Sequence, residues 1–566
     1  MKNTALWRYS LSVLCCLLIG CDEYNNDTMT RLTIAQGSLL ADQPTAGTVG
    51  QVVSFRGIPY ASAPIGERRW AAPQKHNGWQ GTRLATEFGA ACPQTLYPRY
   101  SPSFREMNNQ SEDCLFINVW TNNLGSRTYG NELLPVVVWI HGGSFIHGSG
   151  DSPATMGGPL AAKGVVVVSF NYRLGVLGHL AHPQLSAEQG GTSGNYAALD
   201  QIAALQWVKD NIIQFGGDPD RVTLMGQSSG SVSVNNLLIS PLAKGLFQGV
   251  IGHSAASFAT QQTLSQAEQV GEKFVAGALA YEFRGGLDGQ DQVQYQGQDE
   301  QLLETLRDIP FEDLLDVFSQ LKSELTPGSK GFKPNIDGQI FPGQVRNQFS
   351  QGNFHKVPTL LGYNRDEGSV FALYPENRIA TNHAEFEQRV NAFFGPAAPL
   401  LLSVYPEIQG STQPYTDFWR DGVLVWSIRQ WATASATAQV PTWFYHFSHT
   451  PSTEVGQRLG AFHSAELPYV FGTVMADQDD DKAVQATMMA YWVNFIRYGN
   501  PNGALSSSIV NGLKGPAEPN RPGTQTQLQW PKFDVQGTYF DVNAAPSVGT
   551  QLNAPQMKVW DLVLSQ

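Results

Sequence analysis

An α/β fold, with a mostly parallel central sheet and helices packed on its faces, is what the pattern of this chain predicts. Two observations carry it: short β-branched runs that are apolar almost without interruption, and a helically spaced apolar segment lying between two of them. Such runs read as strands buried on both faces, since a sheet covered on one face only would alternate apolar and polar residues.

The clearest strands are Pro135–Ile140, Val165–Phe170 and Val222–Met225, each bounded by turn residues. Leu360-Leu361-Gly362 and Trp443-Phe444-Tyr445 are expected to be later strands of the same sheet. Between the second and third strands, Leu199, Ile202, Leu205, Val208 and Ile212 recur at helical spacing, and Gly216-Gly217 stops the helix, giving a strand–helix–strand unit. From about 261 to 342 the pattern becomes helical and is broken by a Gly-, Gln- and Asp-rich piece around Arg284–Gln298, which reads as an inserted cap. Another helix is expected over Ala483–Tyr498, ending at Gly499-Asn500-Pro501. Length alone, 566 residues, suggests two to four domains. The element pattern instead favours one elaborated α/β domain over residues 31–566, with no internal repeat.

Residues 1–20 read as a signal peptide rather than as fold. Lys2 and Arg8 form a basic start, and Leu11–Ile19 is mostly apolar but too short to span a bilayer. The segment ends in Leu18-Ile19-Gly20-Cys21, which resembles the bacterial lipobox, where the cysteine is lipidated and becomes the new N-terminus. The alternative is an ordinary secretory signal cut at a small-residue site, but no A-x-A-like site follows. On the lipobox reading, residues 21–30 are a lipidated tether and the protein is an exported bacterial lipoprotein at the periplasmic face of the inner or outer membrane. Its only membrane contact is then the anchor.

Five cysteines fit that address. Cys15 and Cys16 fall in the removed segment and Cys21 would carry lipid, leaving Cys92 and Cys114 in an oxidising compartment. A disulfide is the natural use of the pair, two separate buried thiols being the alternative. The formal charge is −12, which loss of Lys2 and Arg8 takes to −14, and no basic run occurs. That balance speaks against a nucleic-acid partner. With 42% hydrophobic and 15% charged residues, most of the chain has the composition of a packed core rather than of disorder.

The candidate chemistry begins at Gly226-Gln227-Ser228-Ser229-Gly230, a G-x-S-x-G pattern. The pattern alone is common by chance in a glycine-rich chain. Here it directly follows the strand Val222–Met225 and precedes a potentially helical segment, Ser231–Ile239, the strand–turn–helix setting of a nucleophile elbow. A serine hydroxyl needs a base and a group to orient that base. In this setting the order should be Ser, then Asp or Glu after a later strand, then His. Glu367, in Asn364-Arg365-Asp366-Glu367-Gly368, and His463, in Gly460-Ala461-Phe462-His463-Ser464, stand in that order, each in an expected loop after a strand. Taken singly, each reads as well as a surface acid or a polar loop histidine. An oxyanion also needs donors. His141-Gly142-Gly143-Ser144-Phe145 follows the strand ending at Ile140, and its Gly143 and Ser144 N–H groups, with that of Ser229, are the candidates, a plain glycine-rich turn being the alternative.

These motifs together resemble the type-B carboxylesterase family, which includes the cholinesterases and many bacterial esterases. So do Phe55-Arg56-Gly57-Ile58-Pro59-Tyr60-Ala61, Ser111-Glu112-Asp113-Cys114-Leu115, Asn171-Tyr172-Arg173, Gly216-Gly217-Asp218-Pro219 and Tyr491-Trp492-Val493-Asn494-Phe495. The resemblance implies the α/β-hydrolase fold, hydrolysis of small-molecule carboxylic esters through a Ser228–His463–Glu367 triad, and no cofactor or metal. It implies that Cys92–Cys114 is the family's first disulfide, and that Arg56 with Glu112 and Arg173 with Asp200 are structural ion pairs. Three departures stand out: Gln227 where cholinesterases carry Glu, Ser144 as the third residue of the glycine loop, and no Trp between Cys92 and Cys114. The family also contains adhesion proteins that lack a triad, against which the complete Ser, Glu and His argue.

Overall fold

The computed structural model describes residues 29–42, 51–97, 101, 105–107, 109–125, 132–284, 302–325, 332–374, 379–475, 478–504 and 528–564. The expected signal peptide, Cys21 and the tether up to residue 28 lie outside the described residues, as does most of the Gly-, Gln- and Asp-rich piece of the cap.

Thirteen strands are described: β1 (Met29–Ile34), β2 (Gly37–Asp42), β3 (Val53–Pro59), β4 (Thr82–Leu84), β5 (Phe116–Thr121), β6 (Leu134–Ile140), β7 (Val166–Phe170), β8 (Gly217–Gln227), β9 (Gly249–His253), β10 (Thr359–Asn364), β11 (Thr442–Phe447), β12 (Tyr539–Val542) and β13 (Ser547–Gly549). β1, β2 and β4 form a small separate sheet. The other ten form one sheet in the order β13-β12-β11-β10-β9-β8-β6-β7-β5-β3. Neighbours from β7 through β12 run parallel. The pairs β12–β13, β7–β5 and β5–β3 are antiparallel, so the departures from a parallel sheet are confined to its margins.

The expected strands are all present, and β6 shows why they read as continuous apolar runs. Val136, Val138 and Ile140 enter the core on one face of the sheet, while Val137 and Trp139 enter the core on the other. Burying each such side chain contributes roughly 1.5–3 kcal/mol, so neither face of the strand has room for a polar residue without a partner. The predicted helix is α1 (Tyr196–Asn211); the chain then turns through Gly216 in the left-handed region, φ 77°, before β8. α2 (Ser229–Leu237) follows β8 directly.

The stretch expected to form an inserted cap contains α3 (Leu264–Arg284), α4 (Leu302–Asp308) and α5 (Phe311–Leu325). These helices share a core of their own, in which Phe274, Leu306 and Val317 cluster with Trp70 and Leu177 of the main body. Cys92 and Cys114 form a disulfide with Cα atoms 5.0 Å apart. Closing that loop stabilises the fold by about 3 kcal/mol in the chain-entropy account.

One expected ion pair forms and one does not. Arg173 grips buried Asp200 through Nε and Nη2 at 2.8 and 2.7 Å. Glu112 pairs with Arg69 rather than with Arg56, which instead lies 3.8 Å from Asp42. Arg69 also donates Nη1 to the carbonyls of Leu306 and Ile309 at the end of α4. A buried guanidinium must place its donors on nearby acceptors, and Arg69 has the Glu112 carboxylate and the Leu306 and Ile309 carbonyls within one reach.

Candidate active site

β6 and β8 are adjacent, yet the chain leaves β6 for β7 on one side and β8 for β9 on the other. The carboxyl ends of two such strands border a crevice, the place where α/β sheets bind ligands. Ser228 stands there, between the last residue of β8 and the first of α2, with φ 55° and ψ −125°. An unfavourable backbone of this kind persists only where its surroundings hold it. Ser228 N–H donates to His253 O at 2.9 Å, and Ser228 O accepts from Val232 N–H at 3.0 Å.

The glycines of the elbow are required by contact. A Cβ on Gly226 would stand 2.4 Å from Gly230 O, and one on Gly230 would stand 2.1 Å from Ile140 O. Ser228 itself is partly exposed, so a substrate can reach it.

The glycine loop after β6 lies across this elbow. A Cβ on Gly142 would stand 2.7 Å from Gln227 O and 3.1 Å from Ser228 Cβ. Gly143, Ser144 and Phe145 follow with φ of 120°, 57° and 64°, a run of positive values that turns the backbone amides away from ordinary turn partners. Neither the Gly143 nor the Ser144 N–H takes a backbone acceptor among the described residues, and the Ser229 N–H, in the first turn of α2, has no partner within its helix. The loop is anchored from behind. His141 stacks on Tyr172 at 4.3 Å, Tyr172 Oη donates to His141 O at 2.7 Å, and His141 Nδ1 lies 2.9 Å from Gly142 O. A carbonyl only accepts, so Nδ1 carries the proton. Burial pushes the imidazole down to about 4, which keeps it neutral.

Glu367 and His463 come together beside Ser228's loop. Glu367 begins a short helix, α6 (Glu367–Phe371), rather than lying in a loop as expected, and is fully buried. His463 Nδ1 meets Glu367 Oε2 at 2.5 Å, while Glu367 Oε1 accepts from Asn364 N–H at 2.8 Å. The imidazole Nε2 faces Gln227, whose Nε2 is 3.1 Å away.

The two segments that carry Glu367 and His463 are laced to each other by side chains. Asp366 Oδ2 accepts from Ala461 N–H at 2.8 Å, Asn364 Nδ2 donates to Phe462 O at 2.8 Å, and Ser369 Oγ donates to Leu459 O at 2.7 Å. Gly460 has φ 71°, and a Cβ there would stand 2.2 Å from Asp366 Oδ2. In the sequence Asn364 and Asp366 are only letters of the Asn364–Gly368 motif, because this role depends on contacts across 98 and 95 residues. The apolar surroundings are equally silent there. Phe371 lies against the His463 ring at 4.8 Å and against Trp419 at 4.1 Å, and its cluster includes Ala255, Tyr374 and Leu424.

An elbow serine between β8 and α2, facing a glycine loop and a Glu–His pair on a sheet of this order, defines the molecule as an α/β-hydrolase. The family model described as the carboxylesterase family matches residues 29–560. The chain is 35% identical over 471 residues to para-nitrobenzyl esterase of Bacillus subtilis (strain 168), covering 80% of this chain and 88% of that protein. It is 31% identical over 549 residues to cocaine esterase of Homo sapiens, with 92% and 89% covered. A solved structure of PNB esterase superposes with a TM-score of 0.74 at 30% identity, covering 94% of this chain and 99% of that one. The chain belongs to the carboxylesterase family and is a serine carboxylic ester hydrolase acting on small-molecule esters.

Proposed function

We propose that the chain hydrolyses neutral carboxylic esters through an acyl-enzyme on Ser228, with His463 as base and Glu367 orienting it. The observation that carries this reading is the His463 Nδ1–Glu367 contact beside the elbow; a carboxylate accepts, so Nδ1 carries the proton, which in the neutral ring leaves Nε2 free to take one. Ser228 Oγ attacks the ester carbonyl carbon as its proton passes to Nε2, and the carbonyl oxygen gains a negative charge. The N–H groups of Gly143, Ser144 and Ser229 receive that charge, each worth about 3 kcal/mol in such sites. Collapse breaks the bond to the alcohol oxygen, which takes the proton from Nε2. Water then attacks the acyl-enzyme with His463 again as base, returning the acid and free Ser228 Oγ–H.

Neutral esters are favoured because Phe371 and an apolar cluster that includes Ala255, Tyr374 and Leu424 pack beside His463, and Gln227 carries no charge. A quaternary ammonium is held by an aromatic face, worth about 0.5–2 kcal/mol or more, with help from nearby negative charge. No Trp stands between Cys92 and Cys114, although Tyr97 of that segment packs on His147 at 4.2 Å. A series of p-nitrophenyl esters of graded acyl length, with butyrylthiocholine set against an uncharged thioester of equal acyl length, tests the reading. The uncharged ester is expected to be preferred by roughly ten- to a thousandfold in kcat/KM; a preference for the choline ester would overturn the neutral-ester assignment.

The same chain is, on this reading, an exported lipoprotein anchored at the periplasmic face of a bacterial membrane through lipid on Cys21. Leu18–Cys21 supports it, and so does the Cys92–Cys114 disulfide, a bond that persists in oxidising compartments. Mass spectrometry of the mature N-terminus is expected to find acylated Cys21, and an unmodified terminus elsewhere would refute the anchor.

A further inference from the structure

A backbone that runs through three positive φ values from Gly143 to Phe145 stays in place only if its surroundings hold it. His141 and Tyr172 hold the start of the glycine loop; its end is held from a different part of the chain. Inside the loop, Gly143 O accepts from Ile146 N–H at 3.0 Å and from His147 N–H at 2.9 Å. A Cβ on Gly143 would stand 2.1 Å from His147 O, and one on Gly148 would stand 2.5 Å from Gly142 O. Residues 147–148 therefore lie directly against the backbone that carries the proposed oxyanion donors, and a shift of the one is passed to the other.

Gln94, two residues after Cys92, grips Gly148 as a second peptide group would. Its Oε1 accepts from Gly148 N–H at 2.7 Å, and its Nε2 donates to Gly148 O at 2.9 Å and to Cys92 O at 3.0 Å. An N–H only donates and a carbonyl only accepts, so all three partners require the same orientation of this amide. The side chain is almost wholly buried, where such bonds are costly to leave unmade. Its neighbours extend the grip: His147 Nδ1 donates to Thr95 O at 2.7 Å, and the Tyr97 ring packs on the His147 ring at 4.2 Å. The gripping segment is fixed in turn by the Cys92–Cys114 disulfide, by Gln94 N–H on Gln110 Oε1 at 2.8 Å, and by Ala91 bonded to Asn109 O and Ser111 N–H, each at 3.0 Å. Arg105, within the same disulfide loop, holds Ser149 and Asp151 just beyond the glycine loop, leaving Gly148 to Gln94.

We propose that Gln94 is a positioning residue: through its paired bonds to Gly148 it keeps the glycine loop in the form that aims the Gly143 and Ser144 N–H groups at the ester oxyanion. The assignment rests on the oxyanion reading above and adds to it a residue that acts through Gly148 rather than on the ester. The carbonyl oxygen carries its full charge only as Ser228 attacks, so donors that lose their aim lower kcat and leave substrate binding nearly as it was.

The test compares steady-state kinetics on a p-nitrophenyl ester with the inhibition constant of a trifluoromethyl ketone. Ser228 Oγ adds to the carbonyl carbon of that ketone, the hydroxyl proton passes to His463, and the oxyanion formed rests on the same N–H groups without turnover. Gln94→Met, similar in length but unable to make the three bonds, is expected to lower kcat about ten- to a hundredfold with KM within about twofold, since a displacement of about 1 Å suffices for such a loss. Gln94→Glu keeps an acceptor for Gly148 N–H but sets an oxygen against Gly148 O and Cys92 O, and is expected to lose at least as much. In both, the inhibition constant should rise by the factor by which kcat/KM falls, a parallel that general loosening of the fold would not produce. A folded variant of either kind with kcat within twofold of wild type, or with an unchanged inhibition constant, would overturn the proposal, and one variant suffices if the other fails to fold. Gly142→Ala separates the two levels. If it keeps wild-type kcat and inhibition, the oxyanion reading falls; if it loses both while Gln94→Met keeps both, only the role of Gln94 falls.

Discussion

The half of the site around Ser228 and the half around His463 are made of different materials. Around Ser228, position is set by backbone: an elbow at φ 55°, three successive positive φ values after Gly142, and glycines whose missing side chains let β6, β8 and α2 approach. Around His463, position is set largely by side chains, with Asn364, Asp366 and Ser369 each bonded to the backbone of the segment 459–462 beside a single backbone bond from Asp366 N–H to Ala461 O at 3.0 Å. A backbone-built half tolerates no added atom; a side-chain-built half, apart from the close approach at Gly460, loses one strut at a time. The consequence is that substitutions in the first half should act as switches and those in the second as dials.

The largest expected effect is on the nucleophile itself, where Ser228→Ala should lower kcat by as much as roughly a millionfold, as losing the nucleophile does in other serine hydrolases, with circular dichroism and melting unchanged. Gly142→Ala comes next. The added Cβ would meet Gln227 O at 2.7 Å and push the Gly143 and Ser144 N–H groups, the proposed oxyanion donors, out of line, for an expected loss of about a hundred- to a thousandfold in kcat. Steady-state kinetics with a p-nitrophenyl ester measures both, and a Gly142→Ala enzyme within threefold of wild type would break the claim that this half is intolerant.

Acid stability probes the support behind the glycine loop. His141 is held down to about 4 by burial, and His179, whose ring meets Phe145 edge-on, to about 3. Unfolding returns both to about 6.5, so between pH 6.5 and 4 the unfolded chain binds more protons than the folded one. Stability is full above pH 6.5 and falls as pH drops through that window, with His141 alone contributing about 3 kcal/mol. Urea unfolding at pH 7 and pH 4.5 measures the loss, and replacing His141 by a neutral ring residue that still folds should reduce it.

The smallest effect is expected in the other half. Asp366→Ala removes one acceptor for the Ala461 N–H and leaves the Asn364 and Ser369 bonds in place. A small displacement of the base should cost about ten- to a hundredfold in kcat, with Asp366→Asn losing less because its oxygen can still accept. Equal and total loss in both variants would show that this half also behaves as a switch.

The same contrast governs what was legible in the sequence. The strands at Val136–Ile140 and Val222–Met225 and the glycines after them are local signals, because burial on both faces and close backbone approach each dictate residue type on the spot. The order Ser228, Glu367, His463, each after a strand, can be read along the chain, and the fold brings the last two into contact. The partner of Glu112 was not legible: Arg56 and Arg69 are both plausible by sequence, and the choice depends on where α4 ends its carbonyls. Nor was the contact between Gln227 and His463, since the two lie 236 positions apart and nothing local to either announces it.

The most direct test of the central assignment is peptide mapping after reaction with an organophosphate. One phosphoryl group is expected on the peptide carrying Ser228, in step with loss of esterase activity, with no labelling in Ser228→Ala and none in His463→Ala on the same timescale. Stoichiometric labelling of another serine, or loss of activity without a label at Ser228, would contradict the account.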